Sequence, residues 1–179
     1  VEELFLVVGH RSDDLLGEAQ RIAPGGFVKS VFNPRYHEGP ILSLACGGPA
    51  LRSGSPVVFM DADVLYHPDI LHRLVRSSHA TCFVFDREFQ STDDFVKVCL
   101  RDGQVVDFGK TLTREYDMVC EWPGFVKMAP DIAAKVADHA DRIVASGEIE
   151  GAYERAICTV LHSEPMGTFG YEDITGIPW

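Results

Sequence analysis

The stretch Val57–Leu71 reads VVFMDADVLYHPDIL, and its first half decides the fold: an apolar run, VVFM, stops abruptly at two carboxylates, Asp61 and Asp63. A short continuous apolar run closed by polar residues fits a strand buried on both faces of a parallel sheet. Ligands of open α/β sheets bind beyond the carboxyl ends of such strands. Three readings of the aspartates follow from the pattern alone. They are a divalent-metal site, a cap on the helix that Pro68 opens, or an ordinary acidic turn.

Toward the N-terminus the same pattern repeats. LFLVVGH (Leu4–His10) is another apolar run, ended by glycine, and SDDLLGEAQRIA follows it as an amphipathic helix. Ser12 is placed to cap that helix, Asp13 and Asp14 suit its positive end, and Leu15, Leu16, Ala19 and Ile22 share one face. FVKSVF is a second strand, and PILSLACGGPAL carries a helix from Ile41 to Cys46. Alternation of strand and helix up to Met60 predicts a doubly wound, mostly parallel α/β sheet.

Beyond HPDILHRLV the character changes. ATCFVFD (Ala80–Asp86), FVKVCLRDGQVVDFGK (Phe95–Lys110) and DMVCEWPGFVKM (Asp117–Met128) read as strands, and Asp102-Gly103 is a hairpin signal. This half is expected to be antiparallel or mixed. PDIAAKVADHADRIVASG (Pro130–Gly147) and AYERAICTVLH (Ala152–His162) read as helices, and FGYEDITGIPW closes with strand character. Nothing in composition marks an internal boundary, so residues 1–179 form one domain. The chain opens almost on a buried strand and stops at Trp179 in an apolar stretch, which points to flanking segments at both ends.

Composition bounds the function. A length of 179 residues with 46% hydrophobic content supports one sizeable core. A net charge of −11 and a pI near 4.9 exclude a duplex nucleic-acid binder, which needs a basic footprint. Five dispersed cysteines without a CxxC pair read as buried thiols of a reducing cytoplasm, not as a disulfide frame or zinc site. Apolar runs are too short to cross a bilayer, so a soluble cytoplasmic protein with no membrane partner is expected. His67, His72 and His79 fall at surface or cap positions, and no HxH or HxxxH pair occurs.

Two carboxylates at i and i+2 in the bend leaving a strand can face one cleft together. Hard oxygen ligands of this kind suit magnesium, shared with the phosphates of a nucleotide. Seven segments, VVGHRSDDLL, NPRYHEGPILSLACGGPAL, VVFMDADVLYHPDIL, FVKVCLRDGQVVDFGK, CEWPGFVKMAPDIAAKVADHAD, GAYERAI and TGIPW, occur in the order and spacing of the NTP-transferase family. The chain resembles most its phosphocholine cytidylyltransferase-like branch, over essentially its whole length. The resemblance implies a Rossmann-like, three-layer α/β/α nucleotidyltransferase fold with antiparallel additions in the second half. It also implies transfer of a nucleotidyl group, CMP from CTP, to a phospho- or phosphono-monoester with release of pyrophosphate.

Residue by residue, Asp63 matches the family's magnesium ligand and Asp61 a supporting carboxylate. Lys97 in FVKV and Lys110 in FGK match lysines of the branch that serve the phosphates, although solvated lysines on an edge strand read alike. Glu121 in CEWPGF matches a glutamate contacting the acceptor or sugar, and Glu154 in AYERAI an acidic position near the acceptor. Asp86 ends another strand on the same rim and is placed to bind the acceptor. Phe95 and Lys127 stand where the branch offers tryptophans to a quaternary ammonium. The charge of Lys127 opposes choline, so 2-aminoethylphosphonate or a sugar phosphate fits about as well.

Two departures from the family stand out. Its opening Gly-rich loop and the EID that follows PW have no counterpart within residues 1–179. Two other functions stay open on the sequence: a GT-A-type glycosyltransferase, which also uses DxD, and a non-catalytic nucleotide-binding module.

Overall fold

The computed structural model describes residues 1–88, 95–149 and 153–179. In chain order the elements are β1 (Leu4–Val8), α1 (Ser12–Ile22), β2 (Val28–Phe32), α2 (Pro40–Cys46), α3 (Gly48–Leu51), β3 (Val57–Met60) and α4 (Pro68–Arg76). The second half adds β4 (Thr81–Phe85), β5 (Lys97–Arg101), β6 (Gln104–Gly109), β7 (Met118–Glu121), β8 (Phe125–Met128), α5 (Pro130–Ser146), α6 (Glu154–Ser163) and β9 (Phe169–Asp173). Ala152, where the last long helix was expected to begin, and Gly151 of the same motif lie outside the described residues.

The main sheet has the order β3-β8-β4-β9, with β8 antiparallel to both neighbours and β9 parallel to β4. Three of its four strands therefore run the same way and end on one edge. β1 and β2 form a separate parallel pair, and β6-β5-β7 a small antiparallel sheet. The predicted hairpin is present: Asp102 and Gly103 take φ of 51° and 71°, the left-handed geometry that lets a two-residue turn follow the strand twist.

Alternation along β4 divides the interior. Phe83 and Phe85 face a large core shared with α2, α3, α5 and α6, while Cys82 and Val84 face a smaller one closed by Ile70 and Leu74 of α4. All five residues of β4 are buried, as its unbroken apolar run predicts for a strand covered on both faces. The result is a mixed sheet between two helical layers, the three-layer α/β/α arrangement.

Two local expectations are corrected. Ser12 does not cap α1: Arg11 occupies that position with φ 50°, and this left-handed turn makes Ser12 the first helical residue. The segment Asp117–Met128 is two strands instead of one, because Trp122-Pro123-Gly124 carries the chain from the small sheet to the main one. Pro123 has no N–H for a ladder, and Gly124 sits at φ 95°.

Candidate active site

β3 ends where Asp61 leaves the sheet. Its N–H donates to the Gly124 carbonyl at 2.9 Å, one step past the β3–β8 ladder. A Cβ added to Gly124 would lie 3.0 Å from Asp61 Cβ and Oδ2, so glycine is what lets the loop back the carboxylate. The Asp61 side chain is half-buried, and the Tyr153 hydroxyl bridges its two oxygens at 2.6 and 2.7 Å. Burial pushes the Asp61 carboxyl above its usual range, the Tyr153 hydroxyl pulls it back, and the charge of Asp63 raises it again.

Asp63 lies beyond the sheet with its side chain exposed. Neither aspartate caps α4, because His67 holds that position and its Nδ1 accepts the Asp69 N–H at 3.3 Å. The capping reading of DAD is thereby removed. What stands at the strand end is one carboxylate braced by a tyrosine and one presented to solvent.

A second cluster grows from the small sheet and α6. Lys97 and Glu121 are direct cross-strand partners, and Lys97 also faces Gly109 on its other side. The Lys97 ammonium donates to the Lys110 carbonyl at 3.1 Å and sits 4.6 Å from the centre of the Phe95 ring. Burial, then the neighbouring Asp86 charge, lifts the Glu121 carboxyl. Glu154 opens α6 only 6% exposed, and its Oε2 is buried without a hydrogen-bond partner among the described residues. Burial raises its carboxyl; its own N–H and the Lys110 charge oppose this, and Asp61 adds to it. Glu154 thus feels the charges of Asp61 and Lys110, and Lys97 is tied to Lys110 through its carbonyl.

Two expected residues already make hydrogen bonds within the fold. Asp86 accepts the Trp179 indole N–H at 3.0 Å on Oδ2 and the Glu88 N–H at 2.8 Å on Oδ1. Its backbone pairs with Glu121 in an isolated bridge, so it ties the end of the chain to the rim. Lys127 points to the α4 side of the sheet, flanked in register by Val58 and Cys82, and donates to the Ser77 carbonyl at the end of α4 at 2.8 Å. Side-chain alternation in β8 puts it on the face away from Tyr153, so it does not join this site.

Four positions of these clusters escape sequence reasoning. Tyr153 stands beside Glu154 in AYERAI, yet nothing local marks it as the brace of a carboxylate 92 residues earlier. Gly124 is visible only as a turn residue. Cys158 and His162 are separated by one helical turn and meet Asp107 of β6. Paired-histidine spacing does not detect that arrangement. The thiols of Cys82 and Cys120 are pushed by burial to about 11, and those of Cys99 and Cys158 to about 12.

No protein-family model matches the chain, and no curated protein matches it in sequence. Solved structures do match. The inositol-1-phosphate CTP transferase of T. maritima is 15% identical, with a TM-score of 0.71 over 98% of this chain and 68% of that one. The CTP:phosphocholine cytidylyltransferase of Streptococcus pneumoniae is 13% identical, with a TM-score of 0.64 over 99% of this chain and 72% of that one. A UDP-glucose pyrophosphorylase with UDP-glucose is 14% identical, with a TM-score of 0.61 over 91% of this chain and 70% of that one. The chain thus has the Rossmann-like α/β fold of the nucleotidyltransferases.

Proposed function

We propose that the protein is a nucleotidyltransferase that moves a nucleotidyl group, CMP from CTP in the first instance, to a small phospho- or phosphono-monoester. The observation that carries this reading is the strand-end pair itself: Asp63 exposed, and Asp61 held by Tyr153, with the buried Glu154 and with Lys97 donating to the Lys110 carbonyl. A phosphate oxygen of the acceptor attacks the α-phosphorus, the bond to the bridging oxygen breaks, and pyrophosphate leaves. The obstacle is gathering anions, so fixed positive charge and positioning supply most of the catalysis.

Lys97 and Lys110 provide such charge on an otherwise acidic protein. The oxygen donors of Asp63 suit magnesium, which when bound neutralises phosphate oxygens. Asp61 would support that position without being freed from Tyr153. Glu154 Oε2, buried with no donor among the described residues, calls for an N–H or O–H from the acceptor. A primary-amine monoester such as 2-aminoethylphosphonate, or a sugar phosphate hydroxyl, meets that demand, with Glu121 on the same rim; phosphocholine, whose quaternary ammonium has no N–H, offers Glu154 only its charge. Five unpaired cysteines support a cytoplasmic setting.

The test is a pyrophosphate-release screen of the native polypeptide with magnesium, four nucleoside triphosphates and these acceptors. Release that needs both CTP and one acceptor is expected. Release of a nucleoside diphosphate from a nucleotide sugar would overturn the reading in favour of glycosyl transfer, and CTP binding without turnover would favour a sensing module.

A further inference from the structure

The small sheet and α6 carry a second cluster that nucleotidyl transfer does not use. Asp107 of β6 is fully buried. Its Oδ2 accepts the N–H groups of Thr113 at 2.6 Å and Arg114 at 2.9 Å, with the Thr113 hydroxyl at 3.4 Å, and the Phe108 N–H reaches Oδ1 at 2.9 Å. Burial pushes this carboxyl up, but the N–H groups outweigh it and hold it below its usual range. The backbone N–H groups therefore fix the direction in which Oδ1 faces α6. There Oδ1 meets His162 Nε2 at 2.9 Å and Cys158 Sγ at 3.4 Å, and Sγ lies 3.6 Å from Nε2.

We infer that Asp107, Cys158 and His162 form a binding site for a thiophilic divalent ion of the zinc class, clamping α6 onto β6. The three donors sit on one triangle. A tetrahedral zinc ion with ordinary bond lengths separates nitrogen from oxygen by about 3.3 Å, and sulfur from either by about 3.5 Å. Two edges already match, and the third must open by roughly half an ångström. Cys158 and His162 lie at i and i+4, one above the other on one helix face. His162 is 25% exposed in its side chain, which leaves a way in and room for water as fourth ligand. The backbone N–H groups on Asp107 orient the third ligand from behind, as outer partners do in metal centres.

Charge balances as well. Binding replaces the thiol proton, which leaves to solvent, so thiolate and carboxylate together neutralise the dication. The hydrogen bonds from His162 and Cys158 to Oδ1 are exchanged for metal bonds. Magnesium, which demands oxygen ligands, does not suit this donor set. The inference is independent of the nucleotidyltransferase reading, because none of its three ligands is assigned to phosphate or acceptor, although Cys158 lies one helical turn along α6 from Glu154.

The probe is cobalt(II), with zinc as competitor, on the native polypeptide in excess magnesium. One cobalt per chain is expected, with a thiolate charge-transfer band and tetrahedral ligand-field bands that zinc abolishes. Cys158→Ser should remove the charge-transfer band, and His162→Ala should weaken binding by more than about tenfold. In unaltered protein, zinc should protect Cys158 from alkylation in a peptide map while leaving half-buried Cys46 unprotected; this decides the matter even if a variant fails to fold. Absence of the band, a band that survives Cys158→Ser, or alkylation of Cys158 unchanged by zinc would overturn the site.

Discussion

Glu154 shows how one buried side chain can act against stability. Its carboxyl is raised by burial above the unfolded value of 4.5. As pH rises past that value the unfolded chain gives up its proton first. Stability therefore falls with rising pH until the folded group also ionises, and the deficit then stays constant. Glu154→Gln removes it. Thermal unfolding should show the variant more stable than the parent at neutral pH, the gap closing below the unfolded value; a parallel offset at every pH would count against an ionised Glu154. Tyr153→Phe should act oppositely, costing about 1–3 kcal/mol by leaving a half-buried Asp61 without its donor. Asp63, Lys97, Lys110 and Glu154 are candidates that the sequence offers because short motifs carry them. Tyr153 is not one, since the partner that gives it meaning is 92 residues away.

The strands and loops test a different distinction. Lys127 reads as a site residue only if its face of β8 is ignored; in register it belongs with Val58 and Cys82, capping α4 through the Ser77 carbonyl. Lys127→Met should lower stability by about 1–3 kcal/mol, measured by urea titration, and leave turnover within two- to threefold. A selective rise in acceptor KM would instead return it to the site. Gly124→Ala places a side chain at φ 95° against Asp61, and should cost about 1–3 kcal/mol while also depressing activity. The hairpin at Asp102-Gly103 was readable because turn chemistry is local. The break at Trp122-Pro123-Gly124 was not, because strand-like residues continue on both sides and only the change of sheet reveals it.

At the scale of the molecule, long-range order is what alternation cannot supply. Strand, helix, strand predicts parallel neighbours, yet β8 enters antiparallel between β3 and β4 and brings Gly124 to Asp61. That insertion makes the site, and it joins residues more than sixty positions apart, beyond any local pattern. Charge, by contrast, was plain from composition. At −11 the native state repels itself, while surface ion pairs such as Arg21–Glu18 and Arg101–Glu115 are exposed and contribute little. Raising sodium chloride from low to moderate concentration should therefore increase the melting temperature, read by calorimetry; a decrease would mean that exposed pairs outweigh net repulsion.

The functional reading stands on Asp63 more than on any other residue. Asp63 is exposed, so its loss should leave the fold intact, and unfolding midpoints of parent and variant should agree. Pyrophosphate release from CTP by the native polypeptide carrying Asp63→Ala, at saturating magnesium and acceptor, is the direct measurement. A loss of about 100-fold or more in kcat is predicted. Release within a few-fold of the parent would contradict the assignment of Asp63 to the metal and phosphate chemistry.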